Sequence, residues 1–306
     1  MPPPTLLAVP NVSEGRDRVL IGRIAGAVEA GAEPGARLLD VHSDGDHDRS
    51  VFTFAAEPGA LADAMLRLAA EALAGIDLSA AGRDGQHPHV GALDVAPVVY
   101  LDRADRGAAC AEALVIGERL GAELEIPVFL YGELTADRPG TERTRADLRR
   151  GGVAGLRARV AGQGTPGEPL APDFGPAAIE PGRGATLLAA RPPLVAFNLQ
   201  LSPPATVADA RRIAALVREG GADGLTGLRA IGVELRGGVA QVSMNVELPL
   251  ELPLAAVLEA VGRHGEVADA ELVGLVPAAA MEGFPADLEI RGFDPARQVI
   301  ENALGC

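Results

Sequence analysis

The chain has 306 residues, 48% of them hydrophobic, which is enough for two domains with buried cores. Its 27 basic residues are all arginine and face 42 acidic residues, for a net charge of -15. That charge disfavours nucleic acid and anionic membranes as partners, and the lack of lysine excludes a lysine nucleophile or a Walker-type phosphate site. Cys110 and Cys306 form neither a metal-ligand pair nor a disulfide framework, and no segment resembles a signal peptide or a membrane span. We therefore expect a soluble cytoplasmic protein.

Hydrophobic periodicity predicts an order of elements that occurs twice. In the first half it predicts a strand from residue 5, a helix after the turn 11–15, strands at 36–42 and 50–56, a helix at 58–74, a strand within 90–101, a helix at 104–120 and a strand at 127–131. In the second half it predicts a strand at 194–201, a helix at 206–218, strands at 229–235 and 239–247, a helix at 253–263 and a strand at 270–276.

These elements predict an α/β (α+β) fold of two βαββαβ-like subdomains, residues 1–182 and 183–306. Each subdomain would have a mixed or antiparallel sheet with helices on one face. Packing the two bare faces together would cover them and leave a tunnel at the seam. Asn11 and Asn198 would each end a first strand, where an amide can cap the next helix or bind a ligand.

Residues 132–182 are rich in Pro, Gly and Arg and predict a linker with a short helix at 141–150. Seven arginines between Arg138 and Arg159 face only two acids, Glu142 and Asp147. This segment is either a solvated helix face or a landing site for an anionic substrate.

The densest polar motif runs from Asp84 to Asp94 and contains His87-Pro88-His89. Pro88 favours an extended backbone at His87, so the two imidazoles would project to the same side. An imidazole titrates near neutral pH and can take and return a proton within one turnover. We predict His87 as an acid/base for transfer between two nitrogens and His89 as a neighbour that binds or orients.

A second polar cluster, His42 to Arg49, carries acids at alternate positions. It lacks the Gly and the final Glu of a calcium loop, so we interpret it as a hairpin tip. A zinc or manganese site that joins His42 or His47 to His87 and His89 is the alternative, although the ligand spacing is poor.

Seven ordered motifs resemble the formiminotransferase domain of glutamate formimidoyltransferase. The first two are V-P-N-V-S-E-G at 9–15 and H-P followed by G-A-L-D-V, at 87–88 and 91–95. The others are P-V-F-L-Y-G-E at 127–133, P-D-F-G-P at 172–176, V-A-F-N at 195–198, A-Q-V-S-M-N at 240–245 and L-V-G-L-V-P at 272–277. The resemblance covers almost the whole chain and suggests a stand-alone transferase without a cyclodeaminase domain.

The resemblance implies a homodimer in which tetrahydrofolate binds in the tunnel and accepts a formimino group from N-formimino-L-glutamate. It also implies that His87 is the catalytic acid/base. We expect no metal to take part, because the ligand spacing is poor and such a transfer needs no Lewis acid. The substrate-binding residues that we predict are Asn11, Arg49, Gln86, His89, Asp94, Arg183, Arg191 and Asn198.

This chain departs from the family pattern beside the predicted acid/base, with Gln86 in place of Glu and His89 in place of Arg. Two alternatives therefore remain open. One is a folate-binding relative without turnover. The other is a metal-dependent amidohydrolase that acts on formiminoglutamate through the histidine set.

Overall fold

The computed structural model describes residues 3–31, 35–80, 89–136, 143–163 and 170–305. The chain divides into two compact units, Met1–Pro192 and Pro193–Cys306. The division falls after Pro192 and not after Gly182, because Thr186–Arg191 forms a strand in the sheet of the first unit. None of the described helices is long and apolar enough to cross a membrane.

The first unit contains the predicted elements and several that the sequence did not predict. Its strands are β1 (Leu6–Ala8), β2 (Asn11–Val12), β3 (Arg37–Asp44), β4 (Arg49–Ala56), β5 (Leu93–Val99), β6 (Val128–Leu130) and β7 (Thr186–Arg191). Its helices are α1 (Arg18–Glu29), α2 (Ala60–Gly75), α3 (Arg106–Glu123), α4 (Glu133–Ala136), α5 (Arg145–Arg149) and α6 (Gly152–Val160). Strand β7 and helices α4 and α6 are the additions.

The sheet of the first unit is mixed, as predicted. β1 and β2 are two pieces of one strand, because both pair with β4 on one side and with β5 on the other. The order across the sheet is β3, β4, β1/β2, β5, β7, β6. The pairs from β3 to β5 are antiparallel, whereas β7 lies parallel between β5 and β6.

The second unit repeats the first four-stranded part. Its elements are β8 (Val195–Leu201), α7 (Val207–Val217), β9 (Leu228–Leu235), β10 (Val239–Val246), α8 (Leu254–Gly262), β11 (Val267–Val273), α9 (Pro295–Gln298) and α10 (Ile300–Leu304). The antiparallel order β11, β8, β10, β9 equals β5, β1/β2, β4, β3 in the first unit. The two units therefore share one split βαβ topology, which confirms the predicted repeat.

The sheet faces determine where polar side chains can gather. In the first unit, Phe52 and Phe54 of β4 pack in a core with Leu20 of α1, Leu61 of α2 and Ile116 of α3. Because side chains alternate along a strand, Arg49, Val51 and Thr53 lie on the face opposite α1–α3. Helices α5 and α6 cover the β5–β7–β6 part of that face through a second core, which includes Phe129, Leu148, Leu156 and Leu187.

In the second unit, the core lies between the sheet and helices α7 and α8. Phe197 and Val242 of the sheet pack there with Ile213 and Val257 of the helices. The alternate residues of β8, β10 and β11 lie on the face opposite α7 and α8. That face carries Asn198, Gln200, Gln241, Ser243, Asp269 and Glu271.

Candidate active site

The segment Val9–Gly15 joins the β3–β4 hairpin to the chain that enters β5. The Ser13 hydroxyl donates to the Gly91 carbonyl at 2.8 Å, and the Ser50 hydroxyl donates to the Glu14 carbonyl at 2.6 Å. Gly15 lies so close to the hairpin that a Cβ there would be 2.1 Å from the Asp44 carbonyl oxygen. Only glycine fits this approach, so the segment holds the start of β4 and the start of β5 together.

The acidic residues at 44–48 form the turn of this hairpin. The Asp44 carboxylate accepts from the backbone N–H groups of Asp46 and His47 at 2.7 and 3.0 Å and contacts Nδ1 of the His47 ring. Asp48 has a φ of 49° and accepts from the Gly15 N–H at 3.3 Å. The hairpin-tip interpretation is confirmed, and the described residues contain no cluster of His, Cys, Asp and Glu that could hold a metal ion.

Asp94 connects three parts of the chain beside this hairpin. It lies at a bulge in β5, is 4% exposed and accepts from the Val90 N–H at 2.7 Å. Its second carboxylate oxygen is paired with the guanidinium of Arg149 at the end of α5. The start of α6 lies against His89, since a Cβ on Gly152 would be 3.4 Å from the His89 carbonyl oxygen.

Arg49 is a partly buried guanidinium that makes no hydrogen bond within the described part of the chain. Burial lowers its pKa to about 10, and the positive charge of Arg149 acts in the same direction, while Asp94 opposes it. The positive charge of Arg145 also lowers the pKa of Arg49. Arg49 therefore stays cationic at neutral pH with its five donors available, a geometry that suits a carboxylate.

We call Arg49, Arg145 and Arg149 the arginine cluster. Asn11 lies on the same face of the sheet as Arg49, and it does not cap a helix. It is opposite Val51 of β4 and Val95 of β5, and its amide donates weakly to the Val9 carbonyl at 3.4 Å. The N-cap of α1 is Asp17, whose carboxylate accepts from the Val19 and Leu20 N–H groups. The capping prediction is wrong here because six residues, 12–17, separate Asn11 from the first residue of α1.

The same correction applies to Asn198. It lies in the middle of β8, not at its end, and its amide donates to Glu271 of β11 at 2.9 Å. The N-cap of α7 is Thr206, which forms a capping box with Asp209. Asn198 belongs to the second unit and has a carboxylate partner.

The other predicted site residues have different surroundings. Arg183 donates to the Leu124 carbonyl at 2.7 Å and lines a crevice with Glu125 and Glu180. Arg191 ends β7 and donates to the Pro192 carbonyl at 3.0 Å. Gln86 and His87 lie outside the described residues, so their predicted roles stay predictions.

Comparison with known proteins identifies the family. A model of the formiminotransferase domain, N-terminal subdomain, matches residues 5–191. The chain belongs to the formiminotransferase family. It is 34% identical over 303 residues to glutamate formimidoyltransferase of Streptococcus pyogenes serotype M1, covering 97% of each chain. It is 33% identical over 293 residues to the protein of that name from Thermoplasma acidophilum, covering 94% of this chain and 93% of the relative.

A third relative is a longer protein. The chain is 38% identical over 285 residues to formimidoyltransferase-cyclodeaminase of Gallus gallus, covering 89% of this chain and 50% of that protein. Together these relatives show that the chain is a glutamate formimidoyltransferase-like enzyme and support formimino transfer as its type of reaction.

Arg145 and Arg149 lie near Arg49 and Asp94, and our sequence analysis did not single them out. The excess of arginine in the connecting segment was the available signal, and binding of an anionic substrate by this segment stays a prediction. The sequence could not show which of the seven arginines would lie beside Asp94, because Arg149 and Asp94 are more than fifty residues apart in the chain.

Proposed function

We propose that this chain transfers the formimino group of N-formimino-L-glutamate to N5 of tetrahydrofolate, with His87 as the general acid/base. The family supports the transfer reaction, and the acceptor and the role of His87 are our extension of it. The tunnel and the homodimer, which the resemblance implies, also stay predictions.

The observation that carries the proposal is the arginine cluster around Arg49. Three guanidinium groups, Arg49, Arg145 and Arg149, interact electrostatically, and one of them makes no hydrogen bond in the described chain. Asp94 offsets part of this positive charge, and a further anion bound there would offset more of it. A glutamate-derived donor carries carboxylates that would bridge these groups and satisfy the donors of Arg49.

The proton balance of the reaction requires one acid/base group. N5 of the folate would attack the formimino carbon, and the bond from that carbon to the glutamate nitrogen would break. The N5 proton would pass to His87 and from His87 to the departing glutamate nitrogen. General acid–base help of this kind contributes ~10²–10⁴-fold, so positioning of the two substrates must supply much of the remainder.

The test is an assay of glutamate release from N-formimino-L-glutamate with and without tetrahydrofolate. We expect release that requires the folate and is unchanged by chelators. Release without folate would favour the amidohydrolase, and folate binding without release would favour the inactive relative.

Replacement of His87 tests the proposed role directly. We expect His87→Ala to lower kcat by ~10²-fold or more and to change folate affinity only a few-fold, because proton relay is separate from binding. Equal losses in kcat and in folate affinity would instead make His87 a binding or structural residue.

A further inference from the structure

Asp173 carries a negative charge that the site described so far does not use. It belongs to the motif P-D-F-G-P at 172–176, and its carboxylate accepts from the Leu130 N–H at the end of β6 at 2.7 Å. Both carboxylate oxygens also accept from one guanidinium nitrogen of Arg143, Nη2, at 2.6 Å. The side chains of Arg143 and Asp173 are 20% and 15% exposed, so water screens this pair less than it screens a surface ion pair.

The backbone of Arg143 is held at the same end of β6 by the motif P-V-F-L-Y-G-E at 127–133. Its carbonyl accepts from the Gly132 N–H at 2.9 Å, and Gly132 has a φ of 62°, which favours glycine. Its N–H donates to the Thr135 hydroxyl of α4 at 3.2 Å. Two of the ordered motifs therefore meet at Arg143, one through its backbone and the other through its guanidinium.

Arg143 directly precedes Thr144, the N-cap of α5. α5 has five residues, and a helix of that length is not stable without tertiary contacts. Two of its contacts lie near its C-terminal end, where Leu148 is buried in the second core and Arg149 is paired with Asp94. Arg143 supplies the charged anchor at the N-terminal end.

The two ends of α5 connect Asp173 to the arginine cluster. A rise of about 1.5 Å per residue places Arg149 roughly 9 Å along the helix from Arg143. The charges that act most on the Arg49 guanidinium include Arg145 and Arg149 of α5 and do not include Asp173. Asp173 can therefore affect the cluster only through the placement of α5.

We propose that Asp173 is a positioning residue for the donor site. It holds Arg143 and so fixes the start of α5, and α5 in turn places Arg145 and Arg149 beside Arg49. This inference rests on the proposed binding of N-formimino-L-glutamate by the arginine cluster. It assigns the placement of that cluster to a residue that lies outside it.

The experiment measures binding of N-formimino-L-glutamate to the full chain without folate, for the wild type and for Asp173→Asn. The asparagine keeps an oxygen for the Leu130 N–H and loses the charge that holds Arg143. We expect the Kd for the donor to rise about 3- to 10-fold, since the guanidinium groups of α5 are no longer held beside Arg49. The Kd for tetrahydrofolate and the kcat at saturating donor should each change less than about twofold.

Hydrogen–deuterium exchange of backbone amides gives a readout that does not depend on the reaction. In Asp173→Asn, peptides that cover α5 should exchange faster, and peptides that cover α2 should not change. Asp63→Asn is the matched control, because it breaks a pair of the same 2.6 Å length with Arg119 between α2 and α3. It should change neither the donor affinity nor the exchange of α5.

Variants of Arg143 test whether Asp173 acts through it. Arg143→Gln should weaken donor binding as much as Asp173→Asn does, and the double variant should be no weaker than either, because both changes break one pair. Arg143→Lys should regain most of the affinity, since a single nitrogen contacts both carboxylate oxygens. If Asp173→Asn does not fold, the two Arg143 variants carry the test, because they leave the Leu130 contact intact.

Unchanged donor affinity in Asp173→Asn and Arg143→Gln would overturn the assignment, even with a lower melting temperature, because the pair would then be a structural contact only. Losses that add in the double variant would also overturn it. Wild-type protein whose donor binding depends on Asp173 but that transfers no formimino group would contradict the proposed reaction and leave the positioning role intact. Wild-type protein that binds no donor would overturn both.

Discussion

At the scale of single residues, hydrogen bonds stabilise the charged form of the partly buried carboxylate of Asp44. Burial opposes the ionised form of Asp44, yet the His47 ring and two backbone N–H groups stabilise it and bring the pKa of Asp44 well below its usual range. The folded state therefore prefers the carboxylate more than the unfolded state does. That preference stabilises the turn from which β4 and Arg49 begin.

The consequence is a defined pH dependence. Because folding lowers the pKa of Asp44, its contribution is fully present above about pH 4 and declines as the pH falls from there toward the lower pKa of the folded state. We expect Asp44→Asn to destabilise the protein by roughly 1–3 kcal/mol at pH 7 and by about 1 kcal/mol less at pH 3. Urea unfolding at both pH values measures this difference.

Asp287→Asn, at an exposed position, provides the comparison for Asp44→Asn. It should alter stability by less than ~0.5 kcal/mol at either pH. An equal effect of Asp44→Asn at pH 7 and pH 3 would show that its carboxylate charge does not stabilise the turn.

At the scale of elements, periodicity predicted the local units but not their long-range pairing. The strands of both repeats followed from alternating apolar residues, and their bounds agree with the structure within a few positions. Strand β7 was not predicted, because its parallel neighbours β5 and β6 are remote in sequence. Nothing in Thr186–Arg191 specifies that this segment lies between them in the sheet. For the same reason α5 could be predicted near 141–150, while its contact with Asp94 could not.

The candidate site shows the same limit. Arg49 and Asp94 were named from the motifs that contain them, and their binding roles stay predictions. The structure places both beside Arg149, and the sequence could not show that contact because Arg149 lies more than fifty residues after Asp94.

The close approach of Gly15 to the hairpin yields a prediction about the motif at 9–15. Gly15→Ala would place a Cβ 2.1 Å from the Asp44 carbonyl and 2.7 Å from the Arg49 N–H nitrogen, so the backbone must shift. We expect a loss of about 1–3 kcal/mol in unfolding free energy and a higher KM for the donor, since Arg49 moves with the hairpin.

Gly22→Ala on α1 is the matched control for Gly15→Ala. A Cβ at Gly22 meets nothing within 4 Å, and an exposed helical Gly→Ala change stabilises by roughly 0.5–1 kcal/mol. The two alanine variants should therefore shift denaturant midpoints in opposite directions. A Gly15→Ala protein as stable and active as Gly22→Ala would show that the motif does not hold the hairpin in place.

At the scale of the whole molecule, one topology is used twice with different polar residues at one equivalent position. Each unit has an asparagine on its first strand, and two residues before the position opposite it lies Arg49 in one unit and Gln241 in the other. Because only the arginine is charged, only the first unit could offer a guanidinium at this position to the carboxylates of the proposed donor.

This difference predicts the effect of removing the charge at Arg49. Arg49→Gln should raise the KM for N-formimino-L-glutamate by about 10-fold or more, because a charge-assisted pair is lost, and should change the KM for tetrahydrofolate less than about twofold.

Steady-state kinetics with both substrates varied measures both KM values. Arg18→Gln, at an exposed position on α1, controls for the loss of one positive charge. If Arg49→Gln raised the two KM values equally, the arginine cluster would also bind the glutamate tail of the folate. The donor would then need another cation, for which the crevice arginine, Arg183, is the next residue to replace.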